Sequence, residues 1–285
     1  MSIIGLIGIL GAWQETLLRL MTYIATVVAL AMFIKFRAYR PRSICGPQRL
    51  PDEEPLGPFF FIMVGGMSLW LITQALTLKL LNRGVRLDQI KPGQLDTVLV
   101  GIIGGSVPLV FMLMGTFTRR IRGLETLGFT SRHFVRAVPA AIAGIVFVLP
   151  VVELVARFSE WLMPKIHLPH PMKHELLQIM DQSPGPLLKV LIAIGAVIVA
   201  PLFEEFLFRG HLQTLLSRVT RMPWVSVIVT SILFALVHHW SIWLPIFVLS
   251  IGFGYVYERT GNLWVTVLMH AMFNGFSIVV NLLLH

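Results

Sequence analysis

LLKVLIAIGAVIVAPLFEEFLFRGHLQTLL, residues 187–216, is an apolar run in which Glu204, Glu205 and Arg209 lie within six positions. As a helix it would extend roughly 45 Å, more than the ~30 Å needed to cross the hydrocarbon core of a bilayer. A charge inside that core is costly, so ionisable residues there mark a functional site by default. Residues four apart share a helix face, which pairs Glu205 with Arg209 as a carboxylate–guanidinium bridge. Glu204 is rotated by roughly 100° from Glu205 and has no cation three or four residues on. It is therefore the carboxylate left available for chemistry. By residue type alone, the two glutamates equally suit polar packing in a transporter or channel.

The rest of the chain places this run in a membrane protein. Of 285 residues, 56% are hydrophobic and 13% charged, with a mean hydropathy of +0.80. Soluble domains carry about 25% charged residues. The fold class is an all-α, polytopic transmembrane bundle, making the chain an integral multi-pass membrane protein (inner or plasma membrane in a bacterium). The net charge of +9 sits between the apolar runs. That is the placement of membrane flanks, and it argues against a nucleic-acid partner. A single cysteine, Cys45, excludes an internal disulfide and a cysteine-based zinc cluster. The first 14 residues are apolar without a charged leader, which argues against a cleaved signal peptide.

Eight spans are expected: 21–36, 59–81, 96–117, 134–156, 187–216, two within 222–258, and 263–284. The stretch 222–258 would extend roughly 55 Å as one helix, so it is split at His238–Leu244, with Pro245 opening the second part. Pro41, Pro47, Pro51, Pro55 and Pro58 exclude regular helix between spans one and two. The Gly65-Gly66 and Gly104-Gly105 pairs allow neighbouring helices to approach closely. His167, His170 and His174 fall among prolines in 157–186, which reads as a solvated loop rather than a metal site. Lys and Arg favour the loops after odd-numbered spans, placing both termini outside. The chain divides into 1–186, about four spans, and a core at 187–285, about four more.

Further polar clusters occur within the last four spans. His238 and His239 end span six, and His270 and Asn274 share a face of span eight. Counted along their helices, Glu204, His238, His270 and Asn274 lie roughly 18, 22, 10 and 16 Å in from the same side. That spread is compatible with one intramembrane site. His239 points roughly 100° away from His238 and receives no role. His211 shares the Glu204 face and is read as packing.

In order, the motifs are Glu204-Glu205-Phe-Leu-Phe-Arg209, Phe234-Ala-Leu-Val-His238 and His270-Ala-Met-Phe-Asn274. The set resembles that of the CPBP family, the CAAX-processing and bacteriocin-processing (Abi) intramembrane endopeptidases, over about 187–284. The resemblance implies a peptidase acting on a membrane-associated or prenylated, CAAX-type protein or peptide. By it, Glu204 and His238 polarise a water, and His270 and Asn274 stabilise the oxyanion. Glu205 and Arg209 hold the helix and orient the site. A carboxylate in a water-poor cavity suits general-base work, and placed donors suit an oxyanion. Glu204, His238 and His270 also form a possible zinc set. The His-Glu-x-x-His helix is absent, and metal-free water activation with no cofactor is the favoured expectation. A non-catalytic scaffold or immunity-type relative and a proton-coupled transporter are the rival readings. The absence of a visible repeat argues against the transporter.

Overall fold

Backbone polar groups in hydrocarbon must be satisfied within their own segment, and an apolar chain of this kind does so by forming helices. The computed structural model describes residues 20–36, 40, 55–82, 94–118, 123–168, 175–182 and 185–284. We label the helices α1 (Leu20–Lys35), α2 (Leu56–Leu81), α3 (Gln94–Phe117), α4 (Ser131–Leu162), α5 (Glu175–Gln182), α6 (Pro186–Thr220), α7 (Pro223–Leu236), α8 (Trp243–Thr260) and α9 (Leu263–Leu284). The described residues contain no strand, so the all-α bundle holds. Cys45, His170 and His174 lie outside the described residues.

Among the described residues, six helices are long and apolar enough to cross a membrane: α2, α3, α4, α6, α8 and α9. The other two expected spans appear as the shorter apolar helices α1 and α7. At ~24 and ~21 Å these fall short of a ~30 Å core. Helix α7 stops at Leu236, and α8 begins at Trp243. Pro245 thus lies in the first turn of α8 rather than opening it, where a missing N–H forfeits no helical bond. Pro58 is accommodated in the same way, since α2 starts at Leu56 with Pro55 as its cap. Helix α4 continues past Ala156 to Leu162 despite Pro139 and Pro150. Its extension is braced by Arg157 donating to Glu153 one turn back at 2.7 Å.

Close helix contacts form where the glycine pairs allow them. A Cβ on Gly66 would fall 2.5 Å from Met112 Sδ, and one on Gly105 would fall 2.9 Å from Val199 Cγ1. The first contact joins α2 to α3, and the second joins α3 to α6. Helix α4 packs on α8 and α9, where Ala137, Ala141, Leu249, Phe253 and Met269 form one core cluster. Helix α6 runs between the two halves and supplies Phe203, Phe206, Leu207 and Phe208 to the largest cluster.

The start of α9 sets the depth of everything on it. Asn262 caps the helix by accepting from the Trp264 N–H at 3.1 Å, and its amide donates to the His133 carbonyl at 2.9 Å. The first turns of α4 and α9 are therefore tied together. Beside them the Leu263 N–H donates to the Leu127 carbonyl. Gly128 then turns with φ of +69°, and a Cβ there would fall 2.2 Å from the Gly261 carbonyl oxygen. Both the backbone angle and the contact demand glycine. Gly128→Ala should lower the thermal unfolding temperature by several degrees, measured on purified protein in detergent.

Candidate active site

The helix that carries both glutamates is not uniformly α. Its hydrogen bonds widen to π register over Gly195–Val199 and again over Phe206–Gln213, bracketing the α turn Ala200–Glu205. Pro201 explains how the first bulge is used. The Ala200 N–H donates five residues back, to Gly195. The next donor in that register would be residue 201, and proline has no N–H to give to Ala196. Asn274 on α9 fills the place, its Nδ2 donating to the Ala196 carbonyl at 2.8 Å. In the second bulge His211 Nδ1 donates to the Phe206 carbonyl at 2.9 Å, and Thr214 Oγ1 to the Arg209 carbonyl at 3.0 Å. Both side chains serve carbonyls five residues back, and π-bulges of this kind recur at functional sites.

Glu205 and Arg209 pair as expected, at 2.9 Å, and both are fully buried. Arg209 Nη2 also donates to the hydroxyl of Ser250 at 2.6 Å and to its carbonyl at 3.1 Å. Its guanidinium lies 4.6 Å from the centre of the Phe234 ring, a desolvated cation–π contact. The same Glu205 oxygen that takes the Arg209 bond accepts one from His270 Nδ1 at 2.9 Å. One carboxylate therefore ties α6 to α8, through Arg209, and to α9, through His270.

His238 stands where α7 has ended, and its Nδ1 is 2.7 Å from the Phe234 carbonyl. A carbonyl only accepts, so Nδ1 carries the proton and the neutral ring presents Nε2 as a lone pair. His270 is oriented in the same sense by Glu205. Both Nε2 atoms face Glu204: His238 Nε2 is 3.9 Å and His270 Nε2 4.0 Å from Glu204 Oε2. That oxygen is buried and accepts no hydrogen bond from the described residues. Three acceptors converge on a space that suits a donor. No three His, Cys, Asp or Glu side chains among the described residues stand at metal-ligating spacing.

A cavity of about 720 Å³ reaches this point and is lined by Glu204, His238, His270 and Asn274 together. Its other walls are mainly apolar, including Trp70, Phe203, Leu249 and Phe273. The non-helical backbone at His238 lies ~22 Å along from Pro223, and at such depth it is tolerated where it lines a cavity. All four residues expected to share a site thus do so, with Glu205 and Arg209 directly behind them.

The remaining histidines stand apart. His239 is exposed and caps the short turn Trp240–Ile242, accepting from the Ser241 N–H at 3.3 Å. His211 is buried and stacks on Phe59 at 4.6 Å, a packing role. His167 is exposed beyond α4 with φ of +60°. Sequence reasoning missed Ser250, a single serine in an apolar helix with no motif around it. Its position against Arg209 exists only once α6 and α8 are packed.

Arg209→Ala would strand a buried carboxylate, a loss of about 3–5 kcal/mol. It should lower the yield of folded protein as well as activity. Glu204→Gln is nearly isosteric at a cavity wall and should leave the unfolding temperature unchanged within error. Thermal scans of both variants beside the wild type check this division.

Residues 186–276 match the family model described as Rce1-like, type II CAAX prenyl endopeptidase. The stretch covers about a third of the chain and contains Glu204, Glu205, Arg209, His238, His270 and Asn274. No curated protein and no solved structure matches the chain. The chain is thus a multi-pass membrane protein whose residues 186–276 match an Rce1-like, type II CAAX prenyl endopeptidase family domain, consistent with a CPBP family intramembrane protease.

Proposed function

We propose that the chain hydrolyses a peptide bond of a membrane-associated or prenylated, CAAX-type protein or peptide within the bilayer. The observation that carries this reading is the convergence of Glu204 Oε2, His238 Nε2 and His270 Nε2 at 3.9–4.0 Å at a wall of a largely apolar cavity. A water seated there donates one hydrogen to Glu204 and the other to His238. Its oxygen then carries a free lone pair toward the cavity and an incoming carbonyl carbon. Glu204 takes the proton as the bond to carbon forms, the work of a general base.

The oxyanion that results needs donors. Asn274 Nδ2 carries two hydrogens, and the Ala196 carbonyl occupies one, leaving the second for substrate. His270, already donating Nδ1–H to Glu205, becomes a second donor at Nε2 when it receives the proton that Glu204 took from the water, and it passes that proton to the leaving amine as the C–N bond breaks. Glu205 and Arg209 touch no reacting atom in this scheme. They hold His270 and fix which nitrogen faces the substrate.

Zinc held by Glu204, His238 and His270 is the alternative, and spacing argues against it. Ligands at ~2.0–2.2 Å from one tetrahedral zinc stand ~3.4 Å from each other, closer than the 3.9 and 4.0 Å separations seen. Two measurements test the proposal in proteoliposomes with a fluorogenic, prenylated CAAX-type peptide. Glu204→Gln should lower kcat by about a thousandfold or more, with His238→Ala comparably impaired. Wild-type activity should survive dialysis against a strong zinc chelator. Cleavage by Glu204→Gln at the wild-type rate would refute the assignment, and chelator loss reversed by zinc would refute metal-free activation.

A further inference from the structure

The cavity that reaches Glu204 extends beyond the matched stretch onto α2 and α3, through Trp70, Gln74, Gly101 and Gly105. Among its polar side chains, Glu160 is exposed and the others are mostly hydrogen-bonded. Ser159 donates to the Val155 carbonyl, Ser277 to the Phe273 carbonyl, and Asn274 to the Ala196 carbonyl. Asn281 donates to Asp181, Ser241 bonds with His239, and Glu153 pairs with Arg157. Gln74 is different. It is half-buried on an apolar helix, lines the cavity, and has no hydrogen-bond partner among the described residues. An amide left without a partner in a water-poor setting is costly. The protein has nonetheless made room for it, since a Cβ on Gly104 would fall 2.7 Å from Gln74 Cγ.

Its position relative to the chemistry follows from the α2–α6 contact. Phe59 stacks on His211, and Trp70 meets Phe203 with ring centres 5.9 Å apart, so the two helices run antiparallel. Gln74 is one turn beyond Trp70, ~5–6 Å further along the axis and away from the His211 end. Phe203 is the neighbour of Glu204. An extended peptide advances ~3.3 Å per residue, so this axial offset corresponds to about two residues of a peptide lying along α6.

We propose that Gln74 is a substrate-binding residue that holds the main chain of an extended peptide about two residues from the cleaved bond. A carboxamide offers one acceptor and two donors, the complement of a peptide group. Its Oε1 accepts a substrate N–H and its Nε2 donates to a substrate C=O. A peptide drawn into an apolar cavity brings backbone groups that need such partners. Main-chain recognition leaves the substrate's side chains to the apolar walls. The inference rests on the peptidase reading above and extends it to residues outside the matched stretch.

The test uses full-length Glu204→Gln protein in lipid nanodiscs, so that binding is read without turnover. The probe is a fluorescent, prenylated CAAX-type peptide, together with versions N-methylated singly at the amides within three residues of the scissile bond. Adding Gln74→Leu should weaken binding of the parent peptide about tenfold with an unchanged unfolding temperature. One N-methylated peptide should bind the Gln74 protein about tenfold more weakly than the parent peptide, yet lose nothing further on the Gln74→Leu protein. Gly104→Ala, which displaces the Gln74 side chain, should weaken binding in the same direction. Equal binding by the Gln74 and Gln74→Leu proteins would overturn the role of Gln74 alone. So would N-methylation penalties that persist in full on Gln74→Leu. Failure of the Gln74 protein to bind any of these peptides would overturn the peptidase reading itself, and the inference with it.

Discussion

One carboxylate oxygen, Glu205 Oε1, holds the carboxyl-terminal half of this molecule together. It receives Arg209 from one side and His270 from the other, each at 2.9 Å, with no exposure to solvent or lipid. A lone carboxylate or guanidinium at that depth would be strongly unfavourable. The three groups are tolerated because each is paired with the next through Glu205 Oε1, although Glu205 Oε2 and Arg209 Nε have no hydrogen-bond partner among the described residues. Arg209 passes the constraint to Ser250 on α8, and His270 passes it to α9. Three helices are thereby fixed in register at the level where chemistry is placed, and the imidazole facing Glu204 has its proton on the far nitrogen.

Around that bridge the backbone is shaped as well as the side chains. Pro201 removes a donor from a segment in π register, and Asn274 supplies a replacement from a different helix. The exchange couples the shape of α6 to the position of α9 four residues beyond His270. Helix α7 ends early, and His238 reaches Glu204 from the break that follows. Irregular backbone is admissible inside a membrane protein only where protein or a cavity covers it. Here the break, the bulge and the cavity coincide.

The Glu205–Arg209 pair was legible because the two residues are four apart on one helix, and it forms even though Arg209 lies within the widened segment Phe206–Gln213. Depth along each helix correctly grouped Glu204, His238, His270 and Asn274, since each is set by distance from a chain reversal at 221–222 or 261–262. What spacing did not reveal was how the four are connected. His270 bonds Glu205 rather than Glu204, and Asn274 has a structural partner in addition to any role toward substrate. Those facts depend on a carbonyl freed by Pro201 and on a carboxylate with two faces. Neither leaves a trace in residue spacing.

Taken alone, the sequence determined that the chain is helical and membrane-spanning, because apolar length and internally satisfied backbone admit little else. It also determined which glutamate is paired, because that pairing is local. Tertiary structure alone decided that Ser250 takes the arginine's Nη2, that Asn274 fills the gap left by Pro201, and that Gln74 shares a cavity with Glu204. Each of those contacts joins residues at least 41 positions apart. They form through side chains packed across helices, where glycines such as Gly104 set how close two backbones come. Periodicity along one helix reports its own faces and carries no information about which neighbour each face will meet.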